Sequence, residues 1–277
     1  MLTVLVGLLS SFSYASSDML SQQVTRASRA LVQVAWVLIT GAVIIVPLAL
    51  LVDGLPSGAA QWRGAGFAAL AGAAYVVAFF CLLRALQVGD FGLMSALNAL
   101  QGAYATGMFV LLGTRLTAPL AVSLALCVLG AVLTSIEHRA RTARGVPWAL
   151  GSGLLFGGVL VLYSYAHALS WLSQAAVSRS VSLAVALPLA LVTGGLALPR
   201  RLRPVAVGAG ALELGGLSGF TLAIALGPPT VAAIATTQFG TFAVILGVVL
   251  LHERPRRHQW VGIACTLAGV SLLALAV

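Results

Sequence analysis

Charge is what this 277-residue chain has least of: 8% of its residues are charged, 60% are apolar, and its mean hydropathy is +1.07. An ordinary soluble domain carries about 25% charged residues. So little polar surface cannot cover a globule in water, which excludes a soluble fold. Lysine is absent, and all fifteen basic residues are Arg. Against six acids they leave a net charge of +9. In a soluble protein that surplus suggests nucleic acid; in a chain this apolar it signals membrane orientation, and no nucleic-acid partner is expected. Cysteine is also scarce. Cys81, Cys127 and Cys265 lie singly in apolar runs, with no CxxC or Cys/His spacing, which excludes a disulfide framework or a zinc site. The stretch His252 to His258 imitates a zinc helix, but the second ligand position, 256, holds Arg and Pro255 breaks the turn. With no Walker loop and no serine in a nucleophile elbow, neither direct use of ATP nor enzyme activity is expected, and no cofactor is implied.

What is present is long apolar sequence with short, regular interruptions. The pattern predicts an all-α integral membrane protein with spans at 2–21, 31–52, 64–86, 91–112, 118–136, 148–170, 174–198, 204–226, 229–251 and 259–277. Ten spans of roughly 20 residues leave about 70 for nine loops, with no room for a further domain. Asp53 to Gly58, Leu198 to Pro204, and Gly227-Pro228-Pro229 are the clearest breaks. Met1 to Tyr14 could be mistaken for a signal peptide, but it lacks a basic start and a clear cleavage site, so a weakly apolar first helix is expected.

Residues 85–133 and 225–272 resemble each other in order: Ala85-Leu86 pairs with Ala225-Leu226, Gly113-Thr114-Arg115 with His252-Glu253-Arg254, Gly130 with Gly269. Gly7 pairs with Gly157 and Ser28-Arg29 with Ser178-Arg179. The expected parse is two five-helix repeats, residues 1–140 and 141–277. An odd number of spans makes the second repeat enter from the opposite side, so the pair is inverted. Secondary transporters are commonly built this way, with the site near the midplane between the halves. Twelve Arg fall in the loops on one side and three, Arg63, Arg115 and Arg179, on the other. That asymmetry predicts both termini outside the cytoplasm of a bacterial inner membrane.

The C-terminal repeat carries a small-residue helix, Leu251-His252-Glu253-Arg254, a basic turn, then Gln259-Trp260-Val261-Gly262-Ile263 and Ala268-Gly269-Val270. This resembles the EamA-type transporters of the drug/metabolite transporter superfamily over the whole chain, as two five-helix repeats. The family's glutamate after the fourth helix of a repeat falls on Glu253, while the first repeat has Thr114 there. The family's mid-helix prolines fall near Gln101 and Gly240, so both are departures. The resemblance implies a ten-helix carrier of small metabolites, commonly an exporter of amino acids or related compounds. Some members are placed with both termini in the cytoplasm, the opposite of the Arg distribution.

Polar residues inside the spans mark where transport chemistry is expected. Glu213 falls near the middle of the eighth span, where an acid costs about 2.5–3.5 kcal/mol and needs a cavity or a partner. A proton-coupling role follows, or a hydrogen bond between helices. Arg29 and Arg179, each near the start of the second helix of its repeat, suit a substrate carboxylate. Snorkelling to the headgroups is the alternative. Asn98 and Gln101 share one face of the fourth helix, and Thr236, Thr237, Gln238 and Thr241 lie at comparable depth in the ninth. They suit a polar pathway or interhelical hydrogen bonds. Tyr14, Tyr163 and His167 are further lining candidates, His167 as a proton carrier, with interfacial belting the alternative for Tyr163 and Tyr165. Asp18 is expected at the water boundary. Gly153/Gly157 and Gly215/Gly219 make GxxxG pairs that permit close packing.

A secondary carrier, monomeric or homodimeric, with a small-molecule substrate and the bilayer as partners, therefore leads. An Arg and an acid together suit a zwitterion such as an amino acid, and a lipophilic cation is the runner-up. A membrane enzyme on lipid-linked substrates and a non-transporting subunit are the remaining alternatives.

Overall fold

The computed structural model describes residues 1–113, 115, 117–135, 143–227, 232, 235, 236 and 238–275. Thr114, Arg139, Arg141, Pro228, Pro229 and Thr237 lie outside them, as does the side chain of Cys127. Among the described residues the chain is helical with no strand. The helices are α1 (Leu2–Ala27), α2 (Ala30–Val52), α3 (Ala59–Val88), α4 (Phe91–Asn98), α5 (Gln101–Leu111), α6 (Ala118–Ser135), α7 (Val146–Ser164), α8 (Trp171–Thr193), α9 (Arg203–Leu226), α10 (Phe239–Leu250) and α11 (Arg257–Leu275). Among the described residues five stretches are long and apolar enough to cross a membrane: α2, α3, α7, α8 and Arg200–Leu226. The protein is a multi-pass membrane protein.

Where residues are described, helices overlap the expected spans, with informative differences at the ends. The first runs six residues further, to Ala27, and the sixth stops at Ser164, where Tyr165 to Ala168 form a turn. The fourth is two helices, α4 and α5, separated by Ala99 and Leu100. No proline causes the break. The Leu100 N–H bonds back three residues to Leu97, a tightened turn within an otherwise α-helical path. The same occurs before α10, where the Gln238 N–H reaches Ala235 and the Thr241 N–H reaches Gln238.

Packing follows one pattern twice. α1 lies against α9 and α10, and α7 against α3 and α5; α2 lies against α9, and α8 against α3. Three pairs, α2 with α8, α4 with α10, and α6 with α11, pack on each other. Exchanging α1–α6 for α7–α11 in order, with α4 and α5 taken together, leaves this set unchanged.

The most polar helix shows how the bundle tolerates its serines. Ser10, Ser13 and Ser17 of α1 occupy one stripe and donate to the carbonyls of Gly216, Leu212 and Ala209 on α9, at 2.6, 2.6 and 2.7 Å. Rising numbers on α1 meet falling numbers on α9, so the two are antiparallel. Gly216 and Gly219 allow the approach: a Cβ on Gly216 would stand 2.6 Å from the Tyr14 ring, and one on Gly219 3.0 Å from Ser10 Cβ. A Cβ on Gly215 would stand 2.9 Å from the Ser13 hydroxyl, and Gly153 and Gly157 of α7 pack likewise against Asn98 and Tyr104, so both GxxxG pairs sit at helix contacts.

The ends of the bundle are tied by polar side chains. At one end Arg29 donates to the Thr193 carbonyl, Arg26 to that of Gly89, and Glu253 accepts from the Phe91 and Gly92 N–H groups. The loops after α1, α3, α8 and α10 thus gather together. At the other end Asp53 accepts from Ser170 and Ser173 at the start of α8.

Candidate functional site

A cavity of about 50 Å³ lies in the middle of the bundle. Each neighbouring helix gives it one stripe at i, i+4, i+7 spacing or a part of one. α3 contributes Tyr75, Phe79 and Leu82; α9 contributes Glu213, Leu217 and Phe220. α1 gives Tyr14 and Asp18, and α7 gives Phe156, Val159, Leu160 and Tyr163. Asn98 and Gln101 flank the break between α4 and α5, while Thr236 and Phe239 flank the tightened turn before α10. A constant shift of 138 residues carries Tyr75, Phe79, Leu82, Asn98 and Gln101 onto Glu213, Leu217, Phe220, Thr236 and Phe239.

Glu213 is 1% exposed and paired with Arg179, itself 1% exposed. The Tyr75 hydroxyl donates to its other oxygen at 2.5 Å, and the Tyr75 ring lies 5.3 Å from the Arg179 guanidinium. A buried carboxylate without such partners would cost several kcal/mol, so the cation, the hydroxyl and the ring together explain how Glu213 is tolerated. Gly41 of α2 makes room for the arginine, since a Cβ there would stand 3.0 Å from Nε. The Nε and Nη1 atoms of Arg179 are buried with no hydrogen-bond partner.

The expected site residues that are described divide into three groups. Glu213, Tyr14, Tyr163, Asn98 and Gln101 line the cavity, as does Thr236. Tyr163 also shares a 2.5 Å hydrogen bond with Ser178, which removes it from the interfacial belt. Arg179 stands beside the cavity rather than on its wall, its charge turned to Glu213. Arg29, His167 and Gln238 are placed elsewhere. Arg29 is exposed at the N-cap of α2, bound to the end of α8, where a cation complements the helix dipole. Arg29 and Arg179 are therefore not matching positions: one precedes its helix and the other is nine residues into it. Pro47 and Pro188, each eighteenth in its helix, are the true counterparts. His167 lies in the exposed turn after α7, its ring nitrogen 3.1 Å from the Ser164 carbonyl, so it no longer shares a helical face with Tyr163. Gln238 accepts from Thr241 and points toward Ser271 of α11. Thr237 lies outside the described residues.

Two site residues escaped the sequence. Asp18, expected at the water boundary, is 5% exposed and faces the cavity, because α1 continues well past it. Its spacing of four from Tyr14 was the available signal. Tyr75 reads in sequence as an aromatic in an apolar helix; only the 138-residue shift onto Glu213 marks it.

A second, wider recess of about 400 Å³ opens at the end of the bundle where the Arg-rich loops gather. Arg26, Asp90, His252, Glu253, Arg254 and Gln259 are among its lining residues. Glu253 joins the turn after α10 to the first turn of α4, where unpaired N–H groups favour an anion. Gly92 and Gly247 leave space for its carboxylate. Burial pushes the Glu253 carboxyl above its ordinary value, against the pull of the Gly92 and Phe91 N–H groups.

Among solved structures, a crystal structure described only as that of a protein superimposes with a TM-score of 0.68 at 15% identity, over 99% of this chain and 96% of that one. At that identity the likeness concerns the fold alone. No curated protein matches. The model of the EamA-like transporter family matches residues 1–136 and again residues 143–275. With helices that can span a bilayer and a family match over nearly its whole length, the chain belongs to the EamA-like transporter family of the drug/metabolite transporter superfamily.

Proposed function

We propose that this protein is a secondary active transporter that moves small metabolites by alternating access between two inverted five-helix repeats, residues 1–140 and 141–277, with ten spans in all. The observation that carries this reading is the cavity wall itself. Five lining positions recur after 138 residues, and the first pair of equivalents, Tyr75 and Glu213, hydrogen-bond directly to each other. Equivalent positions touch only near an axis that relates them. The paired helix contacts and the twofold family match support the same division. The break between α4 and α5 and the tightened turn before α10, both beside the cavity, fit the discontinuous helices of carrier sites.

A cavity of about 50 Å³ is too small for a metabolite, so the helices must part to load substrate. Amino acids or related zwitterions, exported in exchange for protons, remain the substrate class. A second reading, an organic cation carrier, draws on the wall: its charged members are acids, and seven of its side chains are aromatic. With Arg179 committed to Glu213, twelve Arg remain on one side against Arg63 and Arg115 on the other, which supports a bacterial inner membrane with both termini outside.

Reconstituted in liposomes loaded with a mixture of labelled amino acids and organic cations, the full-length chain is expected to catalyse efflux that an imposed proton gradient accelerates. No flux of any solute above empty liposomes would overturn the carrier reading.

A further inference from the structure

The wide recess at the Arg-rich end carries chemistry that transport through the central cavity does not use. Arg26 reaches it from the end of α1, while His252, Arg254 and Arg256 reach it from the turn between α10 and α11. Two acids stand among them. Glu253 has both oxygens on the Phe91 and Gly92 N–H groups, and Asp90 holds the N-cap of α4. Arg26 gives one N–H to the Gly89 carbonyl. The side chains of Arg254 and Arg256 are exposed, and among the described residues neither guanidinium donates to a protein oxygen.

The backbone beside them is strained. Among the described residues His252 is the one non-glycine with a positive φ, 55°. It closes the end of α10, where the Glu253 N–H turns back to the Gly247 carbonyl at 3.0 Å. Glycine suits such a left-handed position best. The turn therefore gives up some stability and gains an imidazole on the recess wall. A carboxylate is matched by a single guanidinium fork, two N–H groups to two oxygens. Several guanidiniums around one recess call for an anion with more oxygens and more charge, which a phosphate group supplies. At about 400 Å³ the recess has room for more than the phosphate, and Leu93, Val244 and Ile263 line it with apolar surface for the carbon part of a ligand.

We propose that this recess binds a phosphate-bearing organic anion, held by Arg254 and Arg256, with His252 and Arg26 completing the cradle. The site stands whether or not the chain is a carrier. Two sources offer this chemistry: the headgroup of an anionic phospholipid and a soluble phosphate ester.

Two binding measurements on the purified full-length protein separate the sources. In the first, radiolabelled glycerol 3-phosphate is titrated onto protein in nanodiscs of phosphatidylcholine alone. In the second, phosphatidylglycerol and phosphatidylcholine compete for the protein in detergent, and the retained lipid is counted by native mass spectrometry. Saturable binding in the first assigns a soluble ester; selective retention of phosphatidylglycerol in the second assigns a headgroup. In whichever arm wild type binds, Arg254→Gln/Arg256→Gln is expected to bind about tenfold more weakly or worse, the range for lost hydrogen bonds to a charged group. Arg201→Gln removes an exposed charge outside the recess and should bind like wild type. His252→Gly should bind more weakly while its melting temperature holds or rises, a pairing that a merely structural residue would not give. Matching gel-filtration profiles establish that each variant is folded. Binding by wild type in neither arm, binding by the double variant equal to wild type, or an equal loss in Arg201→Gln would each overturn the assignment.

Discussion

Removing either partner of the Arg179–Glu213 pair alone should hurt this protein more than removing both. Arg179→Met leaves a buried carboxylate facing only Tyr75, and breaking a buried pair from one side costs about 3–5 kcal/mol. Thermal unfolding in detergent should therefore show a large loss for Arg179→Met, with much of it recovered in Arg179→Met/Glu213→Leu, where no charge is stranded. Additive losses in the double variant would contradict a direct pair. Tyr75→Phe deletes one donor to the same carboxylate and should cost about 1.5–3 kcal/mol, the range for hydrogen bonds to charged groups. The sequence marked Glu213 as unusual because an acid in an apolar run has few harmless explanations. It could not name the partner, which sits 34 residues away on another helix. Asp18 was misjudged for a simpler reason. The Ser and Gln residues from 21 to 23 look like a loop start, yet α1 continues through them, with Ser21 accepting from Gln33 of α2 and Gln22 donating to the Leu86 carbonyl, each at 3.0 Å.

At the scale of elements, small residues and serines replace the apolar contacts that hold soluble bundles together. Each hydroxyl-to-carbonyl bond between α1 and α9 should contribute modestly, near the ~0.6 kcal/mol average for polar contacts between membrane helices. Ser13→Ala should therefore shift the melting temperature little. Gly216→Leu should shift it far more and weaken substrate binding, because its side chain would displace the Tyr14 ring from the cavity wall. Equal effects of the two substitutions would contradict this account of the α1–α9 contact. The clasp at Glu253 adds a pH signature. Its folded-state carboxyl value is raised, chiefly by burial, so its contribution to stability is full below the unfolded value and fades as pH climbs through the raised one. Glu253→Gln cannot titrate. The wild-type melting temperature should therefore fall relative to that of the variant across this window, and a pH-independent difference would contradict the assignment. Helix positions were legible from apolar runs, but the break between α4 and α5 was not, since Ala99 and Leu100 are both good helix formers.

Over the whole molecule, two halves of one architecture carry different chemistry. The 138-residue shift preserves positions but turns Tyr75 into Glu213, Asn98 into Thr236 and Gln101 into Phe239. In the proposed carrier reading, repeated backbones would give two alternative ways of closing the bundle, and unlike side chains at equivalent positions would let a bound solute distinguish them. The twofold pattern was visible in the sequence only as a weak likeness, because packing constrains the size of a residue at a helix contact far more than its identity. The central claim, that the cavity opens to each side in turn, is tested most directly by side-specific labelling. In a background with Cys81, Cys127 and Cys265 replaced by Ala, Asn98→Cys in oriented proteoliposomes would be exposed to a membrane-impermeant thiol reagent from one face or the other. Labelling from both faces is predicted, with an imposed proton gradient raising one rate as it lowers the other. A cysteine reached from one face only, whatever the gradient, would contradict alternating access.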